Sequence, residues 1–261
     1  MTNKVSPTFQ RVLSSAGKSE LLLPVIEAYL HQGEFPEFSV QIRDRKKEPR
    51  KPNGWFHPST HPLMTERQLY YYLAEPDKWI RDPLDPLGMQ AVTAGEFWHG
   101  FMEVCLTEAK LLLDTEVRVV DEENGTRGYM DGRLPKEAFE FKTMNSRKLR
   151  LLADGAPDDP VVQQSWRDLV PQYNVQGNEY LRMSGFPAIR YLIMATEYPF
   201  PKREIVIPYD PALGNEIKTK YLNVRQAVAD RRPPLPCCAP GSKQSKVCPA
   251  RAVCPIALGT V

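Results

Sequence analysis

With 261 residues, 42% of them hydrophobic, the chain is long enough to bury a full core. Its 34 Lys+Arg against 32 Asp+Glu leave a formal net charge of +2, which excludes a global polyanion-binding surface and confines any nucleic-acid contact to local patches. No apolar run approaches the roughly 20 residues that cross a bilayer, and the opening Met1-Thr-Asn-Lys-Val-Ser6 lacks the apolar centre of a signal peptide. The expected location is the cytoplasm, without membrane contact.

Residues 1–35 carry apolar spacing suited to a helix, from Leu21-Leu22-Leu23 through Val25, Ile26 and Leu30, and no pattern with chemistry in it. Arg43-Asp-Arg-Lys-Lys-Glu-Pro-Arg-Lys51, followed by Pro52-Asn53-Gly54, reads as an exposed basic connector. Most such runs are merely solvated; the functional alternative is an arm that neutralises DNA phosphates. Residues 1–54 are therefore separated from a core at 55–232 and a Cys/Pro-rich appendage at 233–261.

His57-Pro-Ser-Thr-His61-Pro62 is expected to be a turn, with metal binding by the two histidines as the alternative. A short helix follows over residues 64–73. Its Tyr70, Tyr71 and Tyr72 belong to the core, or else stack on bases. Residues 82–88, with two Asp-Pro steps, read as a loop. Residues 93–113 have helical periodicity, with Thr93 as the expected N-cap. His99 and Glu103, four apart, share a face of this helix. A histidine beside Trp98 and Phe101 is ordinarily structural, but the acidic element that follows favours a ligand role. Cys105, among apolar neighbours, reads as a small buried hydrophobe.

Glu116-Val-Arg-Val-Val120 alternates as a strand and Asp121-Glu-Glu-Asn-Gly125 supplies a hairpin turn. Next comes Gly128-Tyr-Met-Asp131-Gly-Arg-Leu-Pro-Lys-Glu-Ala-Phe-Glu140-Phe-Lys142-Thr143, two short strands joined by a turn. Alternation places Glu140 and Lys142 on one face of a strand and Phe139 and Phe141 on the other. Strand pairing then brings Asp131 to the same spot. Two carboxylates beside one lysine suit a hard divalent cation next to an attacking water, the constellation of a metal-dependent nuclease. Arg147, Lys148 and Arg150 follow within reach of a phosphate.

Residues 161–184 read as a helix interrupted near Pro171, in which Gln172, Gln176 and Tyr180 form a polar stripe that faces solvent or lines a cleft. Residues 188–195 are nearly all apolar, as in a strand covered on both faces. Residues 204–209 read as an edge strand ended by Pro208, and Asp210-Pro211 opens a helix to about residue 229. The tail gathers Cys237, Cys238, Cys248 and Cys254. In a reducing compartment such a cluster indicates metal before disulfides, and unligated thiols are the alternative.

The order Gly95-x3-His99, Asp131, Glu140-x-Lys142, Gln176-x3-Tyr180 and clustered cysteines, over roughly residues 55–255, resembles the RecB-like branch of the PD-(D/E)xK nuclease superfamily. It is most similar to the exonucleases associated with CRISPR adaptation and their bacteriophage-encoded relatives. The resemblance implies an α/β (α+β) fold: a mixed central sheet flanked by helices, a restriction-endonuclease-like core with a helical N-terminal part. It implies that His99, Asp131, Glu140 and the backbone carbonyl of Phe141 hold Mg2+ or Mn2+. Lys142 would activate the attacking water, and Gln176 and Tyr180 would orient DNA.

Many relatives also hold a 4Fe-4S cluster through one early and three late cysteines. Here Thr65 stands at the early place and Ser245 at one of the late ones, so the ligand set falls to Cys237, Cys238, Cys248 and Cys254. An iron-sulfur cluster, Zn2+ with His57 or His61 as a further ligand, and unligated thiols are the readings left open. The implied function is a metal-dependent DNA exonuclease acting on single strands or free ends in phage or bacterial recombination or repair. A structure-specific or restriction-like endonuclease and a non-catalytic DNA-end-binding module are the alternatives.

Overall fold

The computed structural model describes residues 20–32, 39 and 52–259; the basic connector read at 43–51 lies outside them. A five-stranded sheet runs in the order β1-β2-β3-β4-β5. Its strands are β1 (Asp114–Asp121), β2 (Thr126–Arg133), β3 (Ala138–Met144), β4 (Ala188–Ala195) and β5 (Lys202–Pro208). The β3–β4 pair is parallel and the other neighbours are antiparallel. A parallel pair needs a long crossover. Here the crossover contains α4 (Ser146–Leu149), α5 (Pro160–Leu169) and α6 (Pro171–Ser184), numbered after α1 (Leu23–Gln32), α2 (Glu66–Ala74) and α3 (Pro86–Glu108). The result is a mixed α/β sheet flanked by helices.

The period of two along β3 and β4 sorts their side chains into two cores. Ala138, Met144, Tyr191 and Ile193 pack with Trp166 of α5 and Leu181 of α6. Phe139, Phe141, Leu192 and Met194 pack on the opposite face with Phe101, Met102 and Leu106 of α3 and Ile26 of α1. β4 is accordingly buried on both faces, as its apolar run predicts. The α1 helix is fixed to the second face by a carboxylate. Glu204 of β5 accepts hydrogen bonds from the backbone N–H groups of Leu21, Leu22 and Leu23, which have no intrahelical partners.

Three helices begin at Asp-Pro steps. Asp85, Asp159 and Asp210 each cap the helix that opens with the following proline: α3, α5 and α7 (Pro211–Ala229). This corrects the start expected at Thr93. The helix begins seven residues earlier, at Pro86, and the Thr93 hydroxyl donates to the Met89 carbonyl inside it. The 82–88 loop is correspondingly shorter. The break at Pro171 falls where expected, with Val170 between α5 and α6. Tyr70, Tyr71 and Tyr72 are buried in α2 and belong to the core. The tail, including α8 (Lys243–Lys246) and α9 (Pro255–Leu258), packs on that helix through Tyr70, Tyr71, Cys248, Cys254 and Ile256. Among the described residues no helix is long and apolar enough to cross a membrane.

Candidate active site

The site forms where β2 and β3 part. Among the described residues these strands pair as expected but only at Gly132↔Phe139 and Arg133↔Ala138, so the ladder is short. Its next backbone donors go to carboxylates instead. The Asp131 N–H donates to Glu140 Oε1 at 3.3 Å, and the Phe141 N–H donates to Asp131 Oδ2 at 2.8 Å. Each acid thereby holds the other's strand. Lys142 completes the group, its Nζ 2.5 Å from Glu140 Oε2. Lys142 also lies over the Tyr173 ring, 5.2 Å from its centroid.

His99 reaches this group from α3. Its Nδ1 lies 3.9 Å from Asp131 Oδ2 and its Nε2 lies 3.7 Å from Glu103 Oε2. Gly95, one turn earlier, explains the close approach: a Cβ there would lie 3.1 Å from the Thr143 hydroxyl of β3. Gln176 and Tyr180 come from α6 and are buried, and the Gln176 amide donates to the Tyr180 hydroxyl at 3.3 Å. Tyr180 lies so close to β2 that a Cβ at Gly128 would stand 2.9 Å from its ring. Gln172 is exposed, so the polar stripe read along this helix reaches the site through two of its three members.

Burial sets the electrostatics. It pushes the Glu140 carboxyl up to about 8, assisted by the Asp131 charge and opposed by Lys142. Burial pulls on the Lys142 ammonium in the opposite direction, but Glu140 and Asp131 outweigh it and hold the amine protonated. Burial, with Glu140 next, raises the Tyr180 phenol well above its usual range, so it stays a neutral hydrogen-bonding group.

The expected ligand set is thus gathered only in part. His99 is beside Asp131, and Asp131 is bonded to the peptide of Phe141. Among the described residues, however, no three His, Cys, Asp or Glu side chains converge on one metal position. Glu140 faces Lys142 rather than His99. The donor chemistry nevertheless suits a hard divalent cation: two carboxylates and an imidazole, with Glu140 lifted by burial and a like charge, a site short of positive charge.

His99, Asp131 and Tyr180 open into a cleft of about 540 Å3. Its other walls carry residues that the sequence reading passed over: Arg81, Glu96, Glu116 and Tyr129. Glu96 lies one turn before His99, a spacing legible in advance. Glu116 was not legible, because its place depends on register. The pairs Thr115↔Gly132 and Val117↔Met130 set it opposite Asp131, where it takes a left-handed φ of 49°. Arg147, Lys148 and Arg150 do not line this cleft.

A second feature lies on α2. Cys237, Cys238, Cys248 and Cys254 surround one small cavity together with Arg67, Gln68 and Tyr71. Arg67 Nε donates to Cys254 Sγ at 3.4 Å and Gln68 Nε2 to Cys248 Sγ at 3.8 Å. Burial works to raise the Cys254 thiol, but the Arg67 hydrogen bond and the N–H groups of Ile256 and Ala257 bring it down. Four sulfurs around one cavity fit an iron-sulfur cluster or zinc by donor type, though they are not drawn to ligation distance. Thr65 caps α2 through Gln68. Cys105 stays apart and buried, its thiol pushed up to about 11. His57 and His61 form the expected turn: the His57 N–H donates to His61 Nδ1 at 2.6 Å. Neither lines the cysteine cavity.

The chain matches no protein-family profile and no curated protein. Among solved structures it is similar to SSO0001 at 16% identity, over 79% of this chain and 88% of that one, with a TM-score of 0.43. It is also similar to an alkaline exonuclease, LHK-Exo, from Laribacter hongkongensis at 15% identity, over 68% of this chain and 89% of that one, with a TM-score of 0.45. The same exonuclease in complex with dAMP gives 14% identity and a TM-score of 0.45.

Proposed function

We propose that the chain is a divalent-metal-dependent deoxyribonuclease of the PD-(D/E)xK type, an exonuclease acting on single-stranded or free-ended DNA in phage or bacterial recombination or repair. The observation that supports this reading most is the cross-bonding of Asp131 and Glu140 through two backbone N–H groups, with Lys142 against Glu140, beside an open cleft. Mg2+ or Mn2+ bound by His99, Asp131, Glu140 and the Phe141 carbonyl would polarise the scissile phosphate and lower the pKa of the attacking water. Lys142 keeps a full positive charge at the acids, where the transition state gains negative charge. Gln176 holds the neutral Tyr180 hydroxyl beside the same acids for contact with the strand. The four tail cysteines are assigned to an iron-sulfur cluster or Zn2+ that fixes the tail on α2.

The test uses end-labelled single-stranded, double-stranded and covalently closed circular DNA, with Mg2+, Mn2+ or chelator. The proposal expects metal-dependent shortening of linear DNA, intact circles, and loss of activity in Lys142→Ala and Glu140→Ala. Cutting of circles would favour the endonuclease. Binding without hydrolysis under every metal would leave a DNA-end-binding module.

A further inference from the structure

The tail and the cleft meet at one short segment. On one side of Arg81, the Ile80 N–H donates to the Pro249 carbonyl at 2.9 Å. On the other, Asp82 accepts a hydrogen bond from Arg251 Nη2 at 2.5 Å. Pro249 and Arg251 both lie in the tail between Cys248 and Cys254. Arg81 itself is exposed and lines the cleft that holds His99 and Asp131. Among the described residues no hydrogen bond or ion pair engages its guanidinium. Its charge is still felt by His61 and Tyr72 in the wall behind it.

The cleft lining therefore carries both signs of charge. Glu96, Glu116, Asp131 and His99 are suited to cations; Arg81, with the hydroxyls of Ser59 and Thr60, is suited to an anion. An arginine without such a partner among the described residues offers a planar fork that matches phosphate geometry. We propose that Arg81 binds a backbone phosphate of the nucleic-acid strand next to the one being cleaved, and that the cysteine tail sets its position by gripping the residues on either side. This rests on the nuclease reading and adds a positioning residue and a role for the tail, whichever group the thiols hold.

The experiment measures binding of an end-labelled single-stranded oligonucleotide by fluorescence anisotropy in Mg2+. It is done in the Lys142→Ala background, so that the strand stays intact. Arg81→Ala should weaken binding about tenfold and reduce the slope of log affinity against log salt by roughly 0.7, the value for one phosphate contact on a single strand. Arg81→Lys should keep the parent's slope. Arg251→Ala should weaken binding severalfold, as should Asp82→Ala, which removes the acceptor of the same pair; either combined with Arg81→Ala should bind no more weakly than Arg81→Ala alone. Unchanged affinity and slope in Arg81→Ala would overturn the inference while leaving the nuclease reading in place, and full additivity would remove the tail's part in it. A Lys142→Ala protein that binds no DNA would sink the nuclease reading as well.

Discussion

Lys142 Nζ lies 2.5 Å from Glu140 Oε2, and the two side chains are 15% and 1% exposed. A buried pair of this kind contributes little net stability against an apolar replacement, yet breaking it from one side leaves a charge without its partner. Lys142→Met is softened, because burial and Asp131 already push Glu140 toward its neutral form; a loss of about 1–3 kcal/mol is expected. The double variant Glu140→Gln/Lys142→Met should unfold in urea within about 1 kcal/mol of the parent, since both charges leave together. It should nonetheless hydrolyse no DNA. Residual metal-dependent cleavage by the double variant would contradict the assignment of this pair to catalysis.

Asp131 is tied at both ends, accepting from the Phe141 N–H and donating its own to Glu140. Asp131→Asn keeps an oxygen for Phe141 but removes the charge beside His99. Titration calorimetry should show Mn2+ affinity at least about tenfold lower, because a hard cation prefers carboxylate to amide oxygen. The melting temperature should stay within about 2 °C of the parent, below the roughly 2–4 °C that a 1 kcal/mol loss produces in a chain of this size. Equal affinity in the two proteins would remove Asp131 from the ligand set.

These two predictions use residues legible from the sequence, and the reason is local. Glu140 and Lys142 share a face because a strand has a period of two, and His99 and Glu103 share one because a helix has 3.6. The apolar run of β4 announced its own burial. Register and wrapping were not legible. The short β2–β3 ladder follows from side-chain carboxylates taking the backbone donors of Asp131 and Phe141, a competition that strand periodicity does not reveal. Glu116 and Arg81 reach the cleft only through tertiary contacts, and the cysteine tail showed its thiols without showing that they would close around Arg67 and Gln68.

Gly177 shows how tightly α6 is fitted to the sheet. A Cβ at this position would stand 1.9 Å from the Tyr191 hydroxyl, which is buried and donates to the Tyr173 carbonyl at 2.6 Å. Alanine is ordinarily the better helix former by up to about 1 kcal/mol, but here the clash decides the sign. Gly177→Ala should cost about 2–4 kcal/mol through overpacking and the lost hydrogen bond. Adding Tyr191→Phe deletes the clashing atom and should restore part of that loss in thermal denaturation. No rescue would show that the obstruction lies elsewhere.

His61 makes stability depend on pH. It is fully buried, its Nδ1 accepts from the His57 N–H, and burial first, then the charges of His57 and Arg81, lower its pKa to about 3. The unfolded chain takes up a proton near pH 6.5 and the folded chain refuses it until near pH 3. Between those values the unfolded state binds more protons, so folding loses stability as pH falls, by about 1.4 kcal/mol per pH unit from this group. Its contribution is complete above about pH 6.5. His61→Asn keeps an acceptor for the His57 N–H and removes the titration. Urea unfolding from pH 4 to 8 should therefore give a shallower acid-side slope in the variant, by about 1.4 kcal/mol per unit between pH 4 and 6, and matching slopes above pH 7. Parallel curves across the whole range would mean that His61 is protonated in the folded protein, contrary to its burial between Phe56 and Tyr72.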